Sequence, residues 1–120
     1  MATTTATITL ASGDLMDNSI SISNTATLTT AGTDTGITKT TGLATRTFTS
    51  GSNVVLLDSG AGIAADVSTD KSAKVFIKNT NDRGDGTKYV LVLLTAVEIG
   101  RLYGGDWMFI PWSGGTGKDI

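Results

Sequence analysis

Apolar residues in this chain recur with a period of two, and nowhere over any length with the period of a helix. Ala6, Ile8 and Leu10 alternate with Thr5, Thr7 and Thr9, and Ala73, Val75 and Ile77 alternate with Lys74, Phe76 and Lys78. Successive side chains of a strand point to opposite faces, so this alternation describes half-buried β-structure. The sole glutamate is Glu98, and no i, i+3, i+4, i+7 apolar run is present, which leaves little for helix. The expectation is an all-β fold, a single antiparallel β-sandwich or jelly-roll-like module with a Thr-rich extended N-terminal arm.

Composition divides the chain. Seventeen of the 22 threonines precede Ser50, whereas both Trp, both Tyr, two of three Phe and the only Pro fall between Lys74 and Trp112. Residues 1–43 read as the arm or as edge strands, and 44–120 as the sandwich core, one domain overall. In the arm, alternation over Thr5–Leu10 is followed by a turn at Ser12, Gly13 and Asp14. It returns over Ser19–Ser23 and again over Thr25–Thr30. These strands have thin apolar faces, and the stretch Gly32–Gly42 reads as an irregular crossing. The arm therefore lies along another subunit or forms edge strands of its own sandwich.

In the second part, Ala44–Thr49 and the continuous apolar run Val54–Leu57 are expected as strands joined by a turn at Ser50–Asn53, and Ser59–Ala65 as a loop or a helical turn. Ala73–Lys78 and Lys88–Val97 are expected to pair as a hairpin across the loop Asn79–Thr87. Gly100 is expected to end it, and Gly104, Gly105 and Asp106 to turn the chain into Trp107–Pro111. Proline cannot donate to a ladder, so that last strand lies at an edge or ends there.

Cysteine and histidine are both absent. Disulfides, thiolate metal sites and the commonest general base go with them. Nine basic residues are scattered singly through a chain of net charge −2, offering no cationic stripe for nucleic acid. The longest apolar run, Tyr89–Leu94, is far short of a membrane span, and the N-terminus lacks a signal-peptide pattern. No cofactor, metal, membrane or enzymatic activity is expected.

Two short motifs reduce to turn chemistry. Arg83, Gly84 and Asp85 spell a cell-adhesion tripeptide, but Asn, Asp and Gly are also what a tight loop requires. Gly114–Lys118 lacks the first glycine, the hydroxyl residue and the helix of a phosphate-binding loop. Asp14, Asp17 and Asn18 fall short of a calcium ligand set. The strand Trp107–Trp112 carries large side chains on both faces: Trp107 and Phe109, with Tyr103, on one, and Met108, Ile110 and Trp112 on the other. A sandwich core takes one face only. The second belongs to a subunit contact or an internal corner, and Arg101, Tyr103, Trp107 and Trp112 are the candidate contact residues.

Asn79 and Thr80 at the end of one strand, then Ile99, Gly100, Leu102, Gly105, Asp106, Trp107, Phe109, Pro111, Trp112, Asp119 and Ile120, form a pattern over about the last 45 residues. In this pattern the chain resembles small virion structural proteins of tailed bacteriophages, many from marine phages that infect cyanobacteria. It departs from them by ending at Ile120, where such proteins continue into a further apolar strand. The resemblance implies a capsid decoration or cement protein on the virion surface, made in the host cytoplasm. It also implies a homotrimer that braces the major capsid protein or other virion subunits. The alternative is a tail-fibre or receptor-binding module contacting a host glycan through Asn79–Thr87 and exposed Trp.

Overall fold

β-Branched side chains restrict χ1 and favour extended backbone, and the Thr-rich front of the chain folds accordingly. In the computed structural model, which describes residues 4–14, 19–28, 42–58, 73–84, 86–112 and 117–120, strand β1 (Thr4–Ser12) pairs antiparallel with β2 (Ile20–Leu28) from Thr4↔Leu28 to Ser12↔Ile20. The two alternating stretches expected after Ser19 are one strand, running through Asn24. This ribbon lies within Met1–Thr40, one of two compact units; the other is Thr41–Ile120. The expected crossing at 32–42, apart from Gly42, and the loop at 59–65 lie outside the described residues.

The second unit holds two further antiparallel pairs. β3 (Ala73–Lys78) pairs with β6 (Trp107–Trp112), and β4 (Tyr89–Leu94) pairs with β5 (Val97–Tyr103). The fold is all-β, with no helix among the described residues. Each ladder turns one face inward. Val75 opposite Ile110 and Ile77 opposite Met108 supply the inner face of β3–β6, and Val90 opposite Leu102 and Val92 opposite Gly100 that of β4–β5. Val75, Val92, Leu102, Trp112 and Ile120 form one buried cluster, with Leu56, Leu57, Ile77, Leu94, Met108 and Ile110 packed against it. A Cβ on Gly100 would lie 3.1 Å from Met108 Cε, so this glycine makes room for a side chain of the other ladder.

The expected hairpin between Ala73–Lys78 and Lys88–Val97 does not form. The second of these segments turns back on itself at Thr95 and Ala96, whose φ angles are 51° and 73°. A two-residue loop with both central residues at positive φ matches the right-handed twist of its strands, and Asn-Gly is its usual sequence. Here Thr-Ala occupies it, held from outside: Thr95 N donates to Asp119 O at 3.0 Å, and its hydroxyl donates to Gly117 O. Gly100 does not end a strand either. It lies inside β5 beside a register shift, where Ile99 is the unpaired extra residue between Gly100 and Glu98.

Residues 44–49 and 54–57 form no strand. Val54 and Val55 are exposed, and only Leu56 and Leu57 reach the core. Their backbone joins Ile120 instead: both amides donate to Ile120 O, at 2.6 and 3.0 Å, and Ile120 N donates to Leu57 O at 3.0 Å. The turn at Ser50–Asn53 is present, with Ser52 N donating to Thr49 O at 3.3 Å.

One buried polar residue links the two ladders. Asn79 is 5% exposed, and each of its hydrogen-bonding groups has a partner. Its Nδ2 donates to Leu102 O at 3.0 Å and to Lys88 O at 3.5 Å, and Oδ1 accepts from Asn81 N at 3.0 Å. Its backbone N donates to Asp106 O and its carbonyl accepts from Gly105 N, both at 2.9 Å.

Two stability changes follow from these geometries. Ala96→Gly relieves a left-handed conformation that costs an L-residue about 1–2 kcal/mol, less the entropy of glycine, so a rise of up to about 1 kcal/mol is expected in urea titrations. Asn79→Asp keeps the acceptor for Asn81 but replaces the donor to Leu102 and Lys88, at a loss of about 3 kcal/mol near neutral pH. Burial beside two carbonyls raises the folded-state pKa of the introduced carboxyl above its unfolded value. Its protonated form donates again, so the missing stability returns below the ordinary carboxylate pKa of about 4 and is lost as pH rises through the folded value.

Candidate interaction surfaces

The outward faces of the two ladders collect most of the exposed aromatic area of the second unit. On β3–β6, Lys74 lies opposite Pro111, Phe76 opposite Phe109, and Lys78 opposite Trp107. Strand parity forces this set outward, because Val75, Ile77, Met108, Ile110 and Trp112 take the inner side. Phe76, Trp107 and Phe109 are 47%, 52% and 37% exposed. The Phe76 and Trp107 rings lie 6.2 Å apart, inclined by 35°. Neither lysine forms an ion pair with a carboxylate among the described residues.

On β4–β5 the outward set is Tyr89 opposite Tyr103 and Leu91 opposite Arg101. The tyrosine rings are 5.7 Å apart. Arg101 stacks on Tyr89, with its guanidinium carbon Cζ 4.7 Å from the ring centroid, and its Nη2 lies 3.5 Å from Glu98 Oε1. The extra residue Ile99 puts Glu98 and Arg101 on one face although they are three apart in sequence, an arrangement plain alternation forbids. The Arg101 pKa is pushed further up, first by a hydrogen bond with Tyr103 and then by the Glu98 charge. This face satisfies its own cation.

The four candidate contact residues therefore do not form one patch. Arg101 and Tyr103 lie on the outer face of β4–β5, and Trp107 on that of β3–β6. Trp112 faces inward: it is 6% exposed, and its Nε1 donates to Lys118 O at 2.6 Å. Its surface belongs to the core of its own chain. Tyr103, expected beside Trp107 and Phe109, is separated from them by the turn Gly104–Asp106. Sequence alone does not mark Lys74, Phe76 and Lys78 as site residues, because alternation pairs their strand with Lys88–Val97, whereas the ladder sets it against β6.

The turn carrying Arg83 and Gly84 is fixed against the β5–β6 turn. Gly84 has φ 108°. A Cβ on buried Gly104 would stand 2.1 Å from Asp82 O, so only glycine admits this backbone approach. Arg83 covers Gly105, and its Nη2 lies 3.7 Å from Asp106 Oδ1. Asp85 lies outside the described residues. Asp106 N also donates to Tyr103 O at 2.9 Å, and Tyr103 N to Asp106 Oδ2 at 3.0 Å.

The ribbon β1–β2 has two unlike faces. Thr5, Thr7, Thr9, Ser21, Ser23 and Thr25 form a hydroxyl face, with Thr7 and Thr25 hydrogen-bonded at 3.1 Å. Ile8, Leu10, Ile20 and Ile22 occupy the other and are 40–52% exposed. Neither strand carries a charge. Among the described residues no group of His, Cys, Asp and Glu could hold a metal ion, and no helix is long and apolar enough to cross a membrane. Comparison with protein-family models, curated proteins and solved structures finds no match.

The inward and outward tryptophans are expected to separate in a mutation pair. Trp112→Ala removes core volume and a buried hydrogen bond, for a loss of about 3–5 kcal/mol. Trp107→Ala should change stability by less than about 1.5 kcal/mol, since it gives up little beyond one aromatic contact. Denaturant unfolding of both variants reads the difference, and equal losses would contradict the assignment of faces.

Proposed function

We propose that this chain is a virion structural protein of a tailed bacteriophage, a capsid decoration or cement protein that braces the major capsid protein from the particle surface. In this reading the two ladders of the second unit are halves of a β-sandwich, and the subunit acts as a homotrimer. The observation that carries it is the ribbon β1–β2. A two-stranded ribbon is marginal in water by itself, yet this one keeps four large aliphatic side chains exposed and leaves nine-residue edges without charge or proline. Free proteins protect such edges. An assembly subunit uses them, by laying the ribbon against a neighbour. The resemblance over the last 45 residues supports the same assignment.

The test is attachment to particles. Leu10 and Ile22 lie opposite each other on the apolar face, and replacing both by threonine retains strand propensity. Burial of an aliphatic side chain is worth about 1.5–3 kcal/mol, so the double variant should rebind particles lacking the protein at least about tenfold more weakly. Unchanged rebinding overturns the role of the ribbon. Particles without the protein should lose heat resistance, and quantitative protein gels should show one copy for every few capsid subunits. The handful of copies set by a tail's symmetry would assign the chain to the tail instead.

A further inference from the structure

The outer face of β3–β6 combines three features that a bare hydrophobic patch lacks. Its rings, Phe76, Trp107 and Phe109, are large and exposed. Its only charges are the cations of Lys74 and Lys78, which flank the rings along one strand. These lysines are four positions apart, about 13 Å at the rise of a strand. Neither is paired with a carboxylate among the described residues.

From this we infer that the β3–β6 face binds an anionic polysaccharide, with sugar rings stacked on Trp107 and Phe76 and acidic substituents paired to Lys74 and Lys78. A pyranose presents a flat face of C–H groups, which a π face of negative potential attracts. Acidic groups recurring along an extended chain can meet two cations set apart on either side of the rings, and a neutral glycan leaves those cations without a role.

Other occupants fit the charges less well. Single-stranded nucleic acid calls for a cationic track that follows every phosphate, whereas this face has two lysines on a chain of net charge −2. A second copy docked through the same face sets lysines against lysines. Docked through its β4–β5 face it offers Glu98, which Arg101 already engages. A purely apolar protein surface strands both ammonium groups out of water. The contact lies outside the loop 79–87, and it does not rest on the virion assignment.

Affinity electrophoresis of the free chain in gels containing alginate, neutral dextran or oligothymidylate tests this directly. Retardation is expected in alginate only, and it should weaken as salt rises from about 0.1 M to about 1 M, where the screening length falls from about 10 to about 3 Å. Trp107→Ala should weaken alginate binding about tenfold. The double variant Lys74→Gln with Lys78→Gln should bind at least about tenfold more weakly and lose the salt dependence. Tyr103→Ala, on the other ladder, should bind as the parent does. Thermal melts establish that each variant is folded, and the lysine pair decides the matter if Trp107→Ala melts early. Absence of retardation in alginate, equal retardation in dextran, stronger retardation by oligothymidylate, or binding indifferent to the lysine pair overturns the inference. So does slow migration that sedimentation traces to self-association alone.

Discussion

The second unit depends on the amide of Asn79. Two-stranded ladders have little stability of their own, and the backbone pairs β3–β6 and β4–β5 are not hydrogen-bonded to each other as strands. Among the described residues their inner faces contribute four buried apolar side chains, Val75, Val92, Leu102 and Trp112, to a cluster that Ile120 completes. Asn79 adds direction to this non-directional contact. Its backbone carries the β3–β6 ladder one step further, onto Gly105 and Asp106, while its side chain reaches the carbonyls of Lys88 and Leu102 on the other pair. A buried amide satisfied at every atom tolerates few alternative arrangements, because any slip leaves a donor or acceptor stranded. Gly104 enforces the same register sterically, by admitting the Asp82 carbonyl where any other residue has a Cβ.

With the inner faces committed to this core, several large apolar side chains among the described residues stand outside it. Phe76, Trp107, Phe109, Tyr89 and Tyr103 stand outside it in the second unit, and Ile8, Leu10, Ile20 and Ile22 in the ribbon. An exposed apolar face of this kind generally marks a site of interaction, and each of these faces belongs to a separate two-stranded sheet. The residues behind the phage resemblance separate along the same line. Asn79, Gly100, Leu102, Gly105, Asp106, Trp112, Asp119 and Ile120 belong to the hub, the core or the restraint on the β4–β5 turn, whereas Trp107 and Phe109 face out. Most of that pattern therefore specifies how the backbone is held, and it bears on architecture more directly than on any partner.

Strands β1, β2, β3, β4 and β6 were legible in the sequence, whereas β5 and the pairing in the second unit were not. Alternation marked β1, β3 and β6, and the division of β6 into an aromatic outer face and a packed inner face follows from parity alone. What misled was the β4–β5 turn. Positive φ is normally announced by Gly or Asn, and Thr95-Ala96 announces nothing; the restraint comes from residues 117–119, more than twenty positions away. Once that turn is missed, Lys88–Val97 reads as one long strand and the nearest partner for it is Ala73–Lys78. The same error hid the aromatic platform, because Phe76 meets Phe109 and Trp107 only if β3 pairs with β6. Val54–Leu57 failed for a related reason. An apolar run reports that burial is available to it, and only Leu56 and Leu57 find it, through the backbone of Ile120.

The two outer faces of the second unit show how similar compositions reach different ends. Both combine aromatic rings with basic side chains. On β4–β5 the bulge at Ile99 brings Glu98 round to Arg101, and Tyr89 supplies a π face, so the guanidinium is held within the molecule. A planar guanidinium suits such a stacked, paired position. On β3–β6 the alternation is unbroken, no acidic residue shares the face, and the cations are lysines, whose compact, strongly hydrated charge sits on a flexible stem. The first arrangement spends its electrostatic interactions on its own surface. The second leaves them for a ligand, and the difference originates in a single extra residue in one strand.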